Sequence, residues 1–385
     1  MENKNEWKKV KLEEIVTITM GQSPKSEFYN SSGKGMPFLQ GNRTFGRIFP
    51  FFDTYTTKIT KIAQKNDIIM SVRAPIGDLN IATENICLGR GVCSLKMNNG
   101  NYSFLFYLMK HYSSQLINRG NGTVFTSINK SEISNLNIYI PTNEIIQKKI
   151  AKILSDIDER IELNNKINDN LEKQAQLIYN NYFVNKNKDY TNYISSNLLE
   201  IADFLNGIAM QKYASDSLDK ESLPVLKIKE LNQGFTDSSS DRCSSKIKSE
   251  YIIKNGDIIF SWSGTLLIKI WCGNKCGLNQ HLFKVTSKKY DKWFYFLWIT
   301  YHLKKFISIA KDKATTMGHI KRSDLEKSFV LIPPEKEYES LSKILTPIFK
   351  TIISKKEENN YLVNLKNYLL PKLMNGEIDV EKVEL

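Results

Sequence analysis

The chain has 385 residues, 41% hydrophobic and 25% charged, the balance of a folded globular protein and not of a disordered tail. Lysine and arginine outnumber aspartate and glutamate by 54 to 41, a formal net charge of +13 that points towards a polyanionic partner. No apolar run approaches the roughly 18 residues of a membrane helix, the start (Met1-Glu2-Asn3-Lys4) is polar, and five cysteines are an odd number for a disulfide framework. The expectation is a cytoplasmic protein with no membrane association.

In chain order, residues 1–144 carry short apolar alternations at 38–39, 67–72, 91–95 and 137–141, broken by Gly, Pro, Asn and Ser. These predict strands and tight turns. A helix over 103–116 interrupts them, with Phe104, Tyr107, Leu108 and His111 at helical spacing. Residues 145–184 have no Gly or Pro. Ile146, Ile150, Ile153, Ile157 and Ile161 form a coiled-coil stripe that resumes after a polar break at Asn164 with Ile167, Leu171, Ala175 and Ile178. At 1.5 Å per residue that helix is roughly 57 Å long.

The pattern then starts again. Leu12-Glu13-Glu14-Ile15 and Gly21 recur as Leu198-Leu199-Glu200-Ile201 and Gly207, 186 residues on. Pro37-Phe38-Leu39 recurs as Pro224-Val225-Leu226, Asp67-Ile68-Ile69 as Asp257-Ile258-Ile259, and Ile128 as Ile320, at offsets of 187, 190 and 192. The shared order and slow drift predict a duplicated α+β unit of about 190 residues. The expected domains are 1–144, a helical spacer at 145–186, a second globular domain at 187–335, and a second helical spacer with a short acidic tail at 336–385. Leu341, Leu345, Ile352, Leu362 and Leu369 mark the second stripe, and the two helices can bury their seams on each other. Pro347 predicts a kink there or a late start. The charge is uneven: residues 1–144 and 187–335 are each net +6, whereas 145–186 is +1 and 336–385 is neutral. The globular segments are therefore the expected polyanion binders.

Catalytic machinery is missing from the sequence. Gly33-Lys34-Gly35 lacks the spacing of a phosphate loop, Gly89-Arg90-Gly91 reads as a turn, and no methyltransferase or nuclease motif is found. Cys243, Cys272, Cys276 and His281 could supply four zinc ligands, but the first repeat has no counterpart, and no metal is expected. His111 and His302 fall in helical patterns as ordinary, partly buried residues.

Candidate reading residues are polar side chains in loops of the basic segments. In the first copy they are Gln22, Ser23, Asn42, Arg43, Arg47, Arg73, Arg90 and the run from Asn121 to Thr126. In the second they are Gln211, Lys227, Lys229, Asn232, Ser263, Gln280, His281 and the run from Lys313 through Thr315 and Thr316 to His319. Arginine suits guanine and Asn or Gln suits adenine in the major groove, while Ser, Thr and Lys more often hold phosphates.

Three stretches carry a resemblance. Leu369-Leu370-Pro371-Lys372-Leu373-Met374-Asn375-Gly376-Glu377-Ile378 is similar to the C-terminal segment of the DNA-specificity subunits of type I restriction–modification enzymes. Thr315-Thr316-Met317-Gly318-His319-Ile320, followed by Arg322, Asp324-Leu325 and Pro333-Pro334, resembles the stretch that closes their recognition domains, and Thr126-Ser127-Ile128-Asn129-Lys130 holds the same place in the first copy. The resemblance implies two target-recognition domains related by a pseudo-twofold axis at opposite ends of an antiparallel coiled coil. It implies a non-catalytic subunit that reads a split, asymmetric DNA target and binds two methyltransferase subunits, which motor–nuclease subunits can join. S-adenosylmethionine, ATP and Mg would belong to those partners, with no cofactor on this chain. Tyr179, Tyr182, Phe183, Tyr361, Tyr368 and Leu370, at the helix ends, are the candidate partner-docking residues. A partner-free coiled-coil repressor and a nuclease with an unrecognised site are the competing readings.

Overall fold

The computed structural model describes residues 7–120, 127–185, 187–215, 221–312 and 318–380. They divide into two compact units: unit 1 holds the described residues of Met1–Glu159 and Val363–Leu385, and unit 2 those of Arg160–Leu362.

In unit 1 the strand Trp7–Lys11 pairs antiparallel with Asn137–Pro141, joining the two ends of the first basic segment. The central sheet is wholly antiparallel, in the order Val16–Met20, Val92–Met97, Ile68–Ser71, Leu79–Ile81. Ile68–Ser71 is buried along its length, which is why it reads as an unbroken apolar run instead of an alternation. A second sheet contains the parallel pair Met36–Leu39 and Ile86–Leu88. The helix Tyr102–Gly120 buries Phe104, Leu105, Leu108 and Met109 in one core with Ile68, Met70 and Leu95.

Unit 2 repeats this order of strands. Ile194–Asn197 pairs with Phe329–Ile332, and the central sheet runs Asp203–Asn206, Leu282–Thr286, Ile258–Ser261, Ile268–Ile270. Leu223–Leu226 lies parallel to Cys276–Leu278. The helix Lys292–Asp312 packs Trp293, Phe294, Trp298 and Phe306 into the core. The hydrogen bonds match atom for atom. Gly21 N–H donates to Val92 O and Gly207 N–H to Leu282 O, both at 3.0 Å, and Ile128 N–H reaches Val72 O as Ile320 N–H reaches Trp262 O, at 2.9 and 3.0 Å. The duplication is therefore structural, at the drifting offset expected from the sequence.

The two long helices are Glu144–Tyr179, which ends in a π turn at Asn180–Val184, and Glu335–Met374. In unit 1 Lys149 Nζ donates to Val380 O at 3.3 Å and Lys366 Nζ meets Asp158 at 2.7 Å. In unit 2 Arg160 meets Glu358 at 2.6 Å and Lys356 meets Glu172 at 2.9 Å. Numbers rise along the first helix as they fall along the second helix and the segment that follows it, so within each unit the pair is antiparallel. The polar break at Asn164 is buried: Asn164 Nδ2 donates to Asn359 Oδ1 at 2.9 Å, a polar layer of the kind that sets register in coiled coils.

One expectation about the second helix is corrected. It does not start late: helix continues from Glu335 past Pro347, with Leu341, Leu345, Phe349 and Ile352 in the core of unit 2. Core burial on both sides of the proline outweighs the single helical hydrogen bond its ring removes. The last turn of that helix and the segment after it also belong to a core. Leu373, Met374 and Val380 are buried in unit 1, and a side chain at Gly376 would meet the Trp7 ring at 2.9 Å.

Asp158 is the most constrained charge in unit 1, its side chain only 2% exposed. Arg47 donates to it at 2.5 Å, Lys366 at 2.7 Å and the Tyr107 hydroxyl at 2.9 Å. Burial, with the Asp158 charge beside it, pushes the Tyr107 phenol well above its ordinary value. Asp158→Ala is expected to cost the full chain about 3 kcal/mol in denaturant unfolding, because two cations and a buried phenol lose their acceptor. A loss below about 1 kcal/mol, the worth of an exposed pair, would contradict this. In unit 2 the Arg160 and Lys355 side chains hold the Glu358 carboxyl down at about 2, against an ordinary 4.5. A lowered carboxylate stabilises above its ordinary value and ceases to do so as pH falls through the lowered one. Thermal midpoints of wild type and Glu358→Gln should therefore differ at neutral pH and converge between pH 4.5 and about 2. A pH-independent difference would refute the assignment.

Candidate nucleic-acid interface

In unit 1 three loops close onto one another at the rim of the sheets. A side chain at Gly21 would lie 2.1 Å from Gly89 O, one at Gly91 would lie 2.3 Å from Gln40 O, and one at Gly89 would lie 2.6 Å from Gln40 Oε1 and 2.8 Å from its Cα. Only glycine permits this approach. It brings Ser23, Gln40 and Arg90 together: Arg90 N–H donates to Ser23 Oγ at 3.0 Å, and the Ser23 hydroxyl bonds Gln40 Oε1 at 2.8 Å. Gln40 and Arg90 are exposed. Gln22, also exposed, occupies the turn, its carbonyl accepting from Thr60 Oγ1. Val72 N–H donates to Gly91 O at 2.9 Å, which sets the exposed Arg73 on the neighbouring segment. Among the described residues the Arg73 and Arg90 guanidinium groups carry no protein partner.

Other arginines are engaged. Arg43 makes a bidentate pair with Asp53 at 2.7 and 2.8 Å, and the guanidinium, with Thr54, holds that carboxyl below the usual range. Asn42 Nδ2 donates to Asp78 at 2.6 Å. Arg47 is spent on Asp158 and serves as a structural tie between its loop and the helix, not as an open reading residue. Thr126, with its neighbours from Asn121, lies outside the described residues, as do Thr315 and Thr316.

In unit 2 the corresponding rim is aromatic. Ser263 Oγ bonds His281 Nδ1 at 3.0 Å, and the Ser263 backbone bridges to His319. The Trp262 ring lies 6.1 Å from His281 and 6.4 Å from His319, and its Nε1 donates to Asn206 at 3.0 Å. Gln280 Nε2 approaches His281 Nε2 at 3.4 Å. Lys227 pairs with Asp241, Lys229 donates to Ser239 at 2.7 Å, and the Asn232 carbonyl accepts from Lys269 at 2.5 Å. Gln211 and Lys227 line one cleft with Asp241 and Arg242.

The sequence reading missed Gln40 and Trp262. Each directly follows a sheet strand and reads as the strand's last residue; the signal for Gln40 is the run of glycines at 21, 89 and 91, which need something to pack against. Counting from matched hydrogen bonds, Ser23 corresponds to Ala209, Gln40 to Lys227, Arg73 to Ser263 and Arg90 to Gln280. The frame is shared and its side chains are not.

Among the described residues no three His, Cys, Asp or Glu side chains gather as a metal site. Burial pushes the Cys93 thiol up to about 12 and raises Cys243, Cys272 and Cys276. On the helices, Tyr179 and Phe183 are core residues: Tyr179 is 1% exposed and its ring meets Trp298 edge-on at 5.3 Å. They offer no surface to a partner. Tyr182 is partly buried beneath Lys188, and Leu370 is partly buried on the unit 1 core. Tyr361 and Tyr368 are 67% and 61% exposed, as is Leu177 at 67%.

A family model described as the type I restriction modification DNA specificity domain matches residues 4–173 and again 182–364. The type I restriction enzyme MjaIX specificity subunit of Methanocaldococcus jannaschii is 26% identical over 413 residues, covering 98% of this chain and 95% of its own. The putative MjaX specificity subunit of the same organism is 41% identical over 179 residues, 46% of this chain and 42% of that one. A solved structure of a type I restriction–modification S subunit from M. genitalium aligns over 97% of both chains with a TM-score of 0.59 at 18% identity, a shared fold.

Proposed function

The chain belongs to the type I restriction–modification DNA specificity family, and on that premise we propose that its two units read the two halves of one split, asymmetric DNA target. The observation that carries this reading is the duplicated frame whose equivalent rim positions hold different polar side chains: Ser23, Gln40, Arg73 and Arg90 against Ala209, Lys227, Ser263 and Gln280. One frame used twice accounts for two half-sites, and divergent side chains account for their asymmetry. The basic excess on residues 1–144 and 187–335 supplies the phosphate attraction that precedes reading.

In this reading the chain performs no reaction itself. Two methyltransferase subunits bring S-adenosylmethionine and flip the target adenine, and motor–nuclease subunits bring ATP and Mg. Docking of such partners is supported by the exposed apolar side chains of the long helices, Leu163, Leu177 and Tyr361 in unit 2 and Tyr368 in unit 1. These side chains, 50% to 67% exposed, offer a partner protein apolar and aromatic contact.

Replacing residues 1–144 with the corresponding segment of another family member should change one half of the methylated motif in cells and leave the other half intact. A change in both halves, mapped genome-wide, would overturn the modular assignment.

A further inference from the structure

Resting on that DNA-reading function, we propose that unit 1 selects guanine, through the donors of Gln40 and Arg90 acting on one base edge. One hydrogen-bond chain orients the Gln40 amide. A backbone N–H can only donate, and that of Arg90 donates to Ser23 Oγ at 3.0 Å. The Ser23 hydroxyl in turn donates to the Gln40 amide oxygen at 2.8 Å. The Gln40 amide oxygen, not its NH2, therefore faces Ser23 in the structure. Gly89 leaves room for that oxygen, since a Cβ there would come within 2.6 Å of it. Gln40 is thereby held with its oxygen turned into the protein and its NH2 left for a ligand.

This inverts the usual preference of glutamine. A free Gln offers a donor and an acceptor together, which suits the N6 and N7 of adenine. A Gln whose oxygen is turned to Ser23 presents its NH2 outward, and the exposed guanidinium of Arg90 beside it has only donors. In the major groove the base edge that answers donors alone is guanine, whose O6 and N7 both accept. Adenine and cytosine each present an amino group that would face these donors, and thymine adds a methyl.

Unit 2 cannot assemble the same device. Ala209 has no hydroxyl, Lys227 is held by Asp241, and Gln280 leans on His281. The guanine selected this way therefore belongs to one half-site only.

The test selects duplexes from a randomised double-stranded pool, using the full chain purified with the subunits that accompany it. Wild type should yield a split motif with guanine fixed in one half. Gln40→Glu replaces donors with acceptors and should lower the preference for guanine at that position by about 5- to 100-fold. Ser23→Ala releases the amide and should admit adenine there. In both variants the other half-site should be unchanged, which also shows that the protein is folded. Variants that both select the wild-type motif with guanine intact would overturn the inference while leaving the DNA-reading function standing. A wild-type complex that selects no motif would overturn the function itself.

Discussion

Asp158 places a carboxylate almost out of reach of water on the first long helix, and a charge in such a place persists only when donors surround it. Its three donors come from three other elements: Arg47 from a loop of the first basic segment, Tyr107 from the helix Tyr102–Gly120, and Lys366 from the second long helix. One acceptor thus fixes loop, domain helix and helix pair to each other within unit 1. The loop gains further rigidity from Asn80, which accepts from Gly46 N–H at 3.0 Å and donates to Gly46 O at 2.9 Å. A reading surface built on a loop needs such fixing, because side chains ordered only on contact with DNA would lose affinity to their own entropy.

Unit 2 meets the same need with other groups. Tyr193 donates to Glu337 at 2.7 Å, Lys188 pairs with the same carboxylate, and Ser342 donates to Asp291 at 2.7 Å, all at the start of the second long helix. The strand order and its hydrogen bonds are common to both units, while ties and rim side chains differ. This is the expected outcome when a frame is selected for holding position and its rim for discrimination. Apolar cores tolerate exchange among residues of similar volume, so sheets survive divergence. In the proposed function, rim polar groups answer to the base they would face.

Much of this was legible from residues alone. The repeat announced itself in Gly21 and Gly207, in Leu39 and Leu226, and in Ile128 and Ile320, because strands and glycine turns constrain sequence locally. The long helices were equally plain from their stripes. What stayed hidden depends on contacts between residues far apart in the chain. Arg47 looked like an open loop arginine, and nothing local marks its partner 111 residues away. Tyr179 and Phe183 looked like surface aromatics at a helix end, although they extend the stripe from Ala175 at steps of four, a signal that they turn inward. Pro347 favours a late helix start by a local rule, and burial overrode it. Gln40 is invisible without the three glycines that gather around it in space.

The central claim is that equivalent rims of the two units face different halves of one target. Single cysteines at Gln22 and Gln211, both exposed, can carry a DNA-cleaving iron chelate, since all five native cysteines are buried. The measurement is the cleavage pattern of each tethered full chain, with its accompanying subunits, on its methylated target sequence. The account predicts that the Gln22 tether cuts in one half-site and the Gln211 tether in the other, with different sequences at the two cuts. Cleavage by both tethers in the same half, or at two copies of one sequence, would contradict it.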